Sequence, residues 1–212
     1  VPAQHRAIVC AAAGAGLRWG ECAGLAWGSV DLAAAELRVV QVAVETPGGA
    51  TLRSYPKSRA GVRTVPLPGF LLNALCAQQE ARERLGGAGR VPDGLVFPNR
   101  FGLPQLRSNF RREVWNLVLA RAGLPASLRF HDLRHSYATW LITDGVPVNA
   151  VQTVMGHANA STTLNRYTHA PVDYADRVRT AFAAHADDLL TFRPSEPPGE
   201  DEEGGAAVPL PA

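Results

Sequence analysis

The chain reads as a mainly α-helical protein with a small antiparallel three-stranded β-sheet inserted early, and three observations point there. Apolar residues recur at helical spacing in the first fifteen residues and again from Pro68 to about residue 190. An unbroken β-prone run, Leu-Arg-Val-Val-Gln-Val-Ala-Val, occupies 37–44, and glycine and proline punctuate the joins. With 212 residues, 46% hydrophobic and 19% charged, the chain can bury one sizeable core. At ~150 residues per domain this suggests one domain plus an appendage, and a fibrous or wholly disordered chain is excluded. No apolar run approaches the ~18 residues of a membrane span and no charged-then-apolar leader opens the chain, so a soluble, cytoplasmic protein without an export signal is expected.

Each element follows in order. Ala3 to Ala15 is an Ala-rich helix broken at Gly14 and Gly16, and Gly20 to Ala26 a short helix before Trp27. The strand at 37–44 is followed by a turn at Pro47-Gly48-Gly49 and by two shorter strands, around Leu52 to Pro56 and Val62 to Leu67. Lys57-Ser58-Arg59-Ala60-Gly61 lies between these two, which predicts a hairpin with Lys57 at its tip or shoulder. After Pro68, Phe70, Leu71 and Leu75 with the charged stretch Glu80 to Arg84 make an amphipathic helix stopped at Gly86-Gly87. Val96-Phe97 reads as a buried stub. Helices are predicted at about Leu106 to Ala122, Asp132 to Thr143, Val148 to Met155, Ala160 to Tyr167 and Val172 to Leu190. The Pro- and acid-rich end cannot bury enough apolar surface to fold, so residues 1–191 form the predicted domain and 192–212 a disordered tail.

Charge and cysteine content narrow the partners. The formal net charge is +2, but five acids fall in the tail against Arg193, leaving residues 1–191 with 20 basic and 14 acidic groups. A basic body with an acidic tail is one footprint of a nucleic-acid partner, shared with many soluble proteins. Three cysteines without paired metal-ligand spacing fit a reducing compartment, with the thiols as small core residues. Of the 21 basic residues twenty are Arg, and Lys57 is the lone Lys. An ammonium can give up a proton where a guanidinium cannot.

Several residues could carry chemistry together. Arg18 sits in a glycine-rich break, Gly14-Ala-Gly-Leu-Arg-Trp-Gly-Glu21, where backbone donors and guanidinium could face an anion; alone, it also fits a surface arginine. His131 and Arg134, three apart at a helix start, share a face near the positive end of the helix dipole. The competing reading makes Asp132 an N-terminal helix residue and His131 a neighbour of the cap. His157 follows Gly156 in a turn, and Tyr167 stands ten residues further on; singly, each fits an exposed or packing residue.

In this order and at these spacings the residues resemble the tyrosine recombinases, or phage-integrase family, over about Ala7 to Arg177. Gly16-Leu-Arg18-Trp-Gly-Glu21 with Leu25, Trp27 and Asp31 is similar to the family's first-arginine box. Pro56-Lys57-Ser58 leading into Arg63-Thr-Val-Pro-Leu67 is similar to its hairpin lysine, and His131-Asp-Leu-Arg134-His-Ser-Tyr-Ala-Thr139 to its histidine-x-x-arginine box. Met155-Gly-His157, Thr162-Thr163 and Tyr167-Thr-His169 resemble the terminal box with the nucleophile. The resemblance implies the catalytic, DNA breaking-rejoining fold. Members normally carry a DNA-clamping core-binding domain ahead of it, so the chain, without an initiator Met, is expected to be the catalytic portion of a longer protein.

By that resemblance Tyr167 attacks the scissile phosphate to form a 3′-phosphotyrosyl link, storing the bond energy for religation. Arg18 and Arg134 hold the non-bridging oxygens and offset the transition-state charge, so no metal and no cofactor are required. Lys57 protonates the leaving 5′-oxygen. His131 assists deprotonation of Tyr167, His157 binds a phosphate oxygen, and Glu21 buttresses Arg18. The implied partners are double-stranded DNA and a homotetramer in the DNA synapse, with a monomer left open for the protein alone. Three rivals remain at this point. A non-catalytic helix-turn-helix module could use Ala150 to Arg166; a metal phosphohydrolase could be built on His131-Asp132, although no ligand cluster supports it; a type IB topoisomerase would share the chemistry.

Overall fold

A computed structural model describes residues 1–54, 61–84 and 94–156. Lys57, the stop at Gly86-Gly87, His157, Tyr167, the helices expected at 160–167 and 172–190, and the acidic tail lie outside the described residues.

Helix α1 (Ala3–Gly14) buries Ala7, Ile8, Ala11 and Ala12, a stripe at helical spacing. The small side chains let it lie against α3 (Gly69–Arg84) and α6 (Phe130–Thr143). Leu71 and Leu75 of α3 are fully buried in the same core, each contributing about 2 kcal/mol of apolar burial. Gln78 and Arg82 of α3 donate to the carbonyls of Val96 and Leu95, at 3.4 and 3.1 Å. They pin the predicted stub, in which Val96 and Phe97 are buried.

The β region departs from expectation in its wiring. A three-stranded antiparallel sheet is present, in the order β1-β2-β5, from β1 (Val30–Asp31), β2 (Glu36–Val39) and β5 (Arg63–Pro66). The run at 37–44 is not one strand: it breaks at Val40, and β3 (Gln41–Thr46) pairs instead with β4 (Gly49–Ser54) across a tight turn at Pro47-Gly48. The predicted hairpin around Lys57 is therefore corrected, because β4 and β5 belong to different sheets. The reason is the face each strand buries. β5 turns Arg63 and Val65 inward opposite Val39 and Leu37, whereas residues 51–54 of β4 are exposed and have no buried face to add to that core.

Helix α2 (Trp19–Gly24) rests on β3 through two glycines one turn apart. A Cβ on Gly20 would lie 2.7 Å from the Ala43 carbonyl oxygen, and one on Gly24 2.7 Å from the Ala43 amide nitrogen. The predicted helix near 106–122 is continuous over 107–121: α4 (Arg107–Phe110) passes through a π turn (Arg111–Trp115) into α5 (Asn116–Arg121). Its first amide is capped from the β3–β4 hairpin, with Arg107 N–H donating to Glu45 Oε1 at 2.6 Å.

Helix α6 begins two residues before the predicted start. Asp132, in its first turn, accepts from the Arg129 backbone N–H at 2.7 Å, which closes a capping box. Helix α7 (Val148–Met155) has the predicted bounds and ends on Gly156 in the left-handed region, at φ 62°. A second, smaller core joins the two helices through Tyr137, Ala138, Val151 and Met155. Cys22 is buried and Cys10 and Cys76 are half-buried, all as free thiols.

Candidate active site

The site is assembled where α2, β5, α6 and α7 meet. Arg18 is the N-cap residue of α2, placed there by Gly16, which turns the chain out of α1 at φ +59°. A Cβ on Gly16 would stand 2.5 Å from the Tyr137 ring, so that position requires glycine for space as well as conformation. Arg134 lies on the inward face of α6 and is only 2% exposed, whereas the Arg18 side chain is 36% exposed.

Both arginines reach the same short segment. Arg134 donates from Nη1 to the Gly16 carbonyl and from Nη2 to the Met155 carbonyl, the latter at 2.5 Å. Arg18 Nη2 donates to the Gly156 carbonyl at 3.4 Å. The C-terminal carbonyls of a helix lack intrahelical donors and carry the negative end of its dipole, which makes them natural acceptors for guanidinium groups. The Met155-Gly-His157 box thus has a structural logic: Gly156 takes the left-handed turn that presents these carbonyls, and His157 follows it.

Glu21 buttresses Arg18, as its place in the first box predicts. It accepts the Arg18 backbone N–H on Oε2 at 2.8 Å and Arg18 Nη1 on Oε1 at 2.9 Å. Burial alone would raise this carboxyl, which is 1% exposed; hydrogen bonds and charge from Arg63, then from Arg18, outweigh it and hold the group at about 2. Arg63 is the residue that the sequence reading did not place in the site. It forks onto Glu21 at 3.1 and 2.8 Å. The signal for it was a charged residue alternating in step with Val65 on a strand face turned toward the core.

His131 lines an open groove of about 1060 Å³ together with Arg18, Arg107, Arg111, Arg112 and Arg129. It does not share the buried face of Arg134; it is exposed, and its ring meets His135 edge-on with centroids 4.7 Å apart. Desolvation, then the charges of His135, Arg134 and Arg129, lower its pKa against the opposing pull of Asp132. A neutral imidazole at the groove wall is suited to accept a proton. Asp132 caps α6 and pairs with the Arg129 guanidinium. Among the described residues no group of three or more His, Cys, Asp or Glu is placed to hold a metal ion, and no described helix is long and apolar enough to cross a membrane. Lys57, His157 and Tyr167 lie outside the described residues, so the geometry above concerns Arg18, Glu21, Arg63, His131 and Arg134.

Comparison with known proteins bears on the family. The chain is 36% identical over 178 residues to the tyrosine recombinase XerC-like protein of Caldanaerobacter subterraneus subsp. tengcongensis, covering 77% of this chain and 45% of that one. It is 32% identical over 181 residues to tyrosine recombinase XerC of Xylella fastidiosa, covering 84% and 52%. The chain therefore spans about half the length of the curated relatives it matches. Among solved structures, the Tn1549 transposon integrase in complex with transposon right end DNA superposes with a TM-score of 0.71 at 25% identity, covering 84% of this chain and 59% of that one. XerA recombinase, at 23% identity and a TM-score of 0.62, shares the fold. The model of the phage integrase family matches residues 1–173, and with its helical fold, small antiparallel sheet and paired arginines the chain belongs to that family, the tyrosine recombinases.

Proposed function

We propose that the chain is the catalytic portion of a site-specific DNA recombinase that cleaves and rejoins strands through a 3′-phosphotyrosyl intermediate. The observation that carries this reading is the convergence of Arg18 and Arg134 on the Met155 and Gly156 carbonyls, at the point where the chain passes to His157. Two guanidinium groups anchored on neighbouring carbonyls bring two positive charges to one point, where they can offset charge as it builds on a phosphodiester. The groove that Arg18 shares with Arg107, Arg111, Arg112 and Arg129 has the charge to attract a DNA backbone. The DNA-bound transposon integrase supports the same substrate class.

In this reading Tyr167 is the nucleophile, its proton taken up with help from His131, and the bond to the 5′-oxygen breaks as the phosphotyrosyl bond forms. Lys57 donates the proton to the leaving 5′-oxygen, His157 binds a phosphate oxygen, and religation reverses the steps. Strand exchange between two duplexes requires four such sites, hence a homotetramer on DNA, acting in the cytoplasm.

The experiment is a covalent-trapping assay on a nicked suicide duplex. Tyr167→Phe is expected to bind the duplex like the parent and to form no covalent adduct; an adduct surviving in that variant overturns the assignment. Joining of strands from two different duplexes, rather than relaxation of supercoils alone, separates a recombinase from a type IB topoisomerase.

A further inference from the structure

Arg63 is 6% exposed and makes contacts on every edge of its guanidinium group. Its fork meets both oxygens of Glu21, Nη1 also reaches the Gly61 carbonyl at 3.4 Å, and Nε donates to the Val154 carbonyl at 2.7 Å. Val154, Met155 and Gly156 therefore offer three successive carbonyls to three arginines, Arg63, Arg134 and Arg18. Arg63 joins this end of α7 to β5, the strand that follows the Lys57 segment, and to α2, which carries Glu21.

Charge makes the arrangement more than a brace. Each Glu21 oxygen is shared between Arg63 and Arg18, so the carboxylate sits between two cations. With Arg63 in place the trio keeps one positive charge, and Arg18 is its half-exposed member. Without Arg63, Glu21 would neutralise Arg18 and draw it toward the interior. A lysine could not replace the fork, since one ammonium cannot span two carboxylate oxygens and a carbonyl on another helix.

We infer that Arg63 is a positioning residue of the recombination site: through Glu21 it sets the place and net charge of Arg18, and through the Val154 carbonyl it holds the turn that leads to His157. This rests on the recombinase reading above. The test is a double-mutant cycle on single-turnover cleavage of the suicide duplex at saturating DNA, using the whole chain. Arg63→Lys is expected to slow cleavage roughly 30-fold with duplex affinity within about twofold, and to add less than about threefold when Arg18 is already Ala. Cleavage at the parent rate, or a loss that multiplies in full in the Arg18→Ala background, overturns the inference.

Glu21→Gln, which keeps shape and removes charge, serves if Arg63→Lys does not fold; it is expected to show the same non-additive loss, and parental cleavage by it overturns the inference as well. A readout without DNA keeps this inference separate from the functional reading. Water exchange of the Arg18 side-chain N–H, followed by ¹⁵N NMR, is expected to slow about threefold in Arg63→Lys, where Glu21 is left to Arg18, and to quicken about tenfold in Glu21→Gln, where that acceptor is weakened. Unchanged exchange sinks the positioning role even if cleavage is seen. Absence of any adduct in the parent chain sinks the recombinase reading, and the exchange rate still decides the role of Arg63.

Discussion

The junction under α7 and the groove beside it use the same side chain for opposite ends. In the junction, Arg63 and Arg134 are buried, and their donors are committed to Glu21 and to backbone carbonyls. In the groove, Arg112 and Arg129 make exposed pairs with neighbours on their own segment, Glu113 and Asp132. A buried guanidinium with fixed acceptors is costly to disturb and defines geometry, whereas an exposed pair is worth little and can exchange its partner for a phosphate. Arg18 sits on the boundary, anchored by Glu21 on one side and open to the groove on the other.

The contrast can be broken from the junction side first. Arg134→Met would remove the donors to the Gly16 and Met155 carbonyls, at about 1–3 kcal/mol for each buried acceptor left without one, so urea denaturation should show a loss of about 4 kcal/mol. A variant as stable as the parent would mean that those carbonyls find other donors. Glu21→Gln comes next, at about 3 kcal/mol, with a signature in pH. Glu21 is depressed from 4.5 to about 2 in the folded state, so its contribution is fully present above pH 4.5 and is lost as pH falls through about 2. Stability measured between pH 5 and 2 should therefore fall more steeply in the parent than in Glu21→Gln, and parallel curves would contradict the buried pairing.

Gly16→Ala should cost about 2 kcal/mol, from a left-handed backbone and from the contact with the Tyr137 ring, and thermal unfolding would report it. The smallest stability effect is expected in the groove. Arg111→Ala should change stability by no more than about 0.5 kcal/mol yet weaken duplex binding evenly across sequences, reducing the salt dependence of the binding constant by about one. A large stability loss there would erase the distinction between the two regions.

What the sequence made legible follows the reach of its signals. Helix α7 has its predicted bounds because an apolar stripe, a following glycine and a preceding proline all agree. The break at Val40 was hidden, since a run of apolar, β-prone residues does not say which sheet each part joins. The pairing of β5 with β2 was hidden for a related reason: proximity in sequence favoured β4, and only the inward face of Arg63 and Val65 decides otherwise. Around the junction, the nearness of Arg18 to Glu21 was readable from their shared box. The carbonyls of Val154, Met155 and Gly156 were not, because every residue has one and no side chain marks which will be used. The π turn at Arg111–Trp115 left a helical pattern in the sequence and no trace of its extra residue.

The glycine seat of α2 on β3 bears on how the groove can meet its substrate. Backbone touches backbone there, and the Glu45 side chain fastens the same hairpin to the start of α4, so the seat of α2 on the hairpin is set by main-chain contact rather than by rotamers. Such a wall works as a gauge rather than a glove. Its backbone accepts a ligand of the right width at little entropic cost, and adjustment falls to the arginine side chains that line the groove.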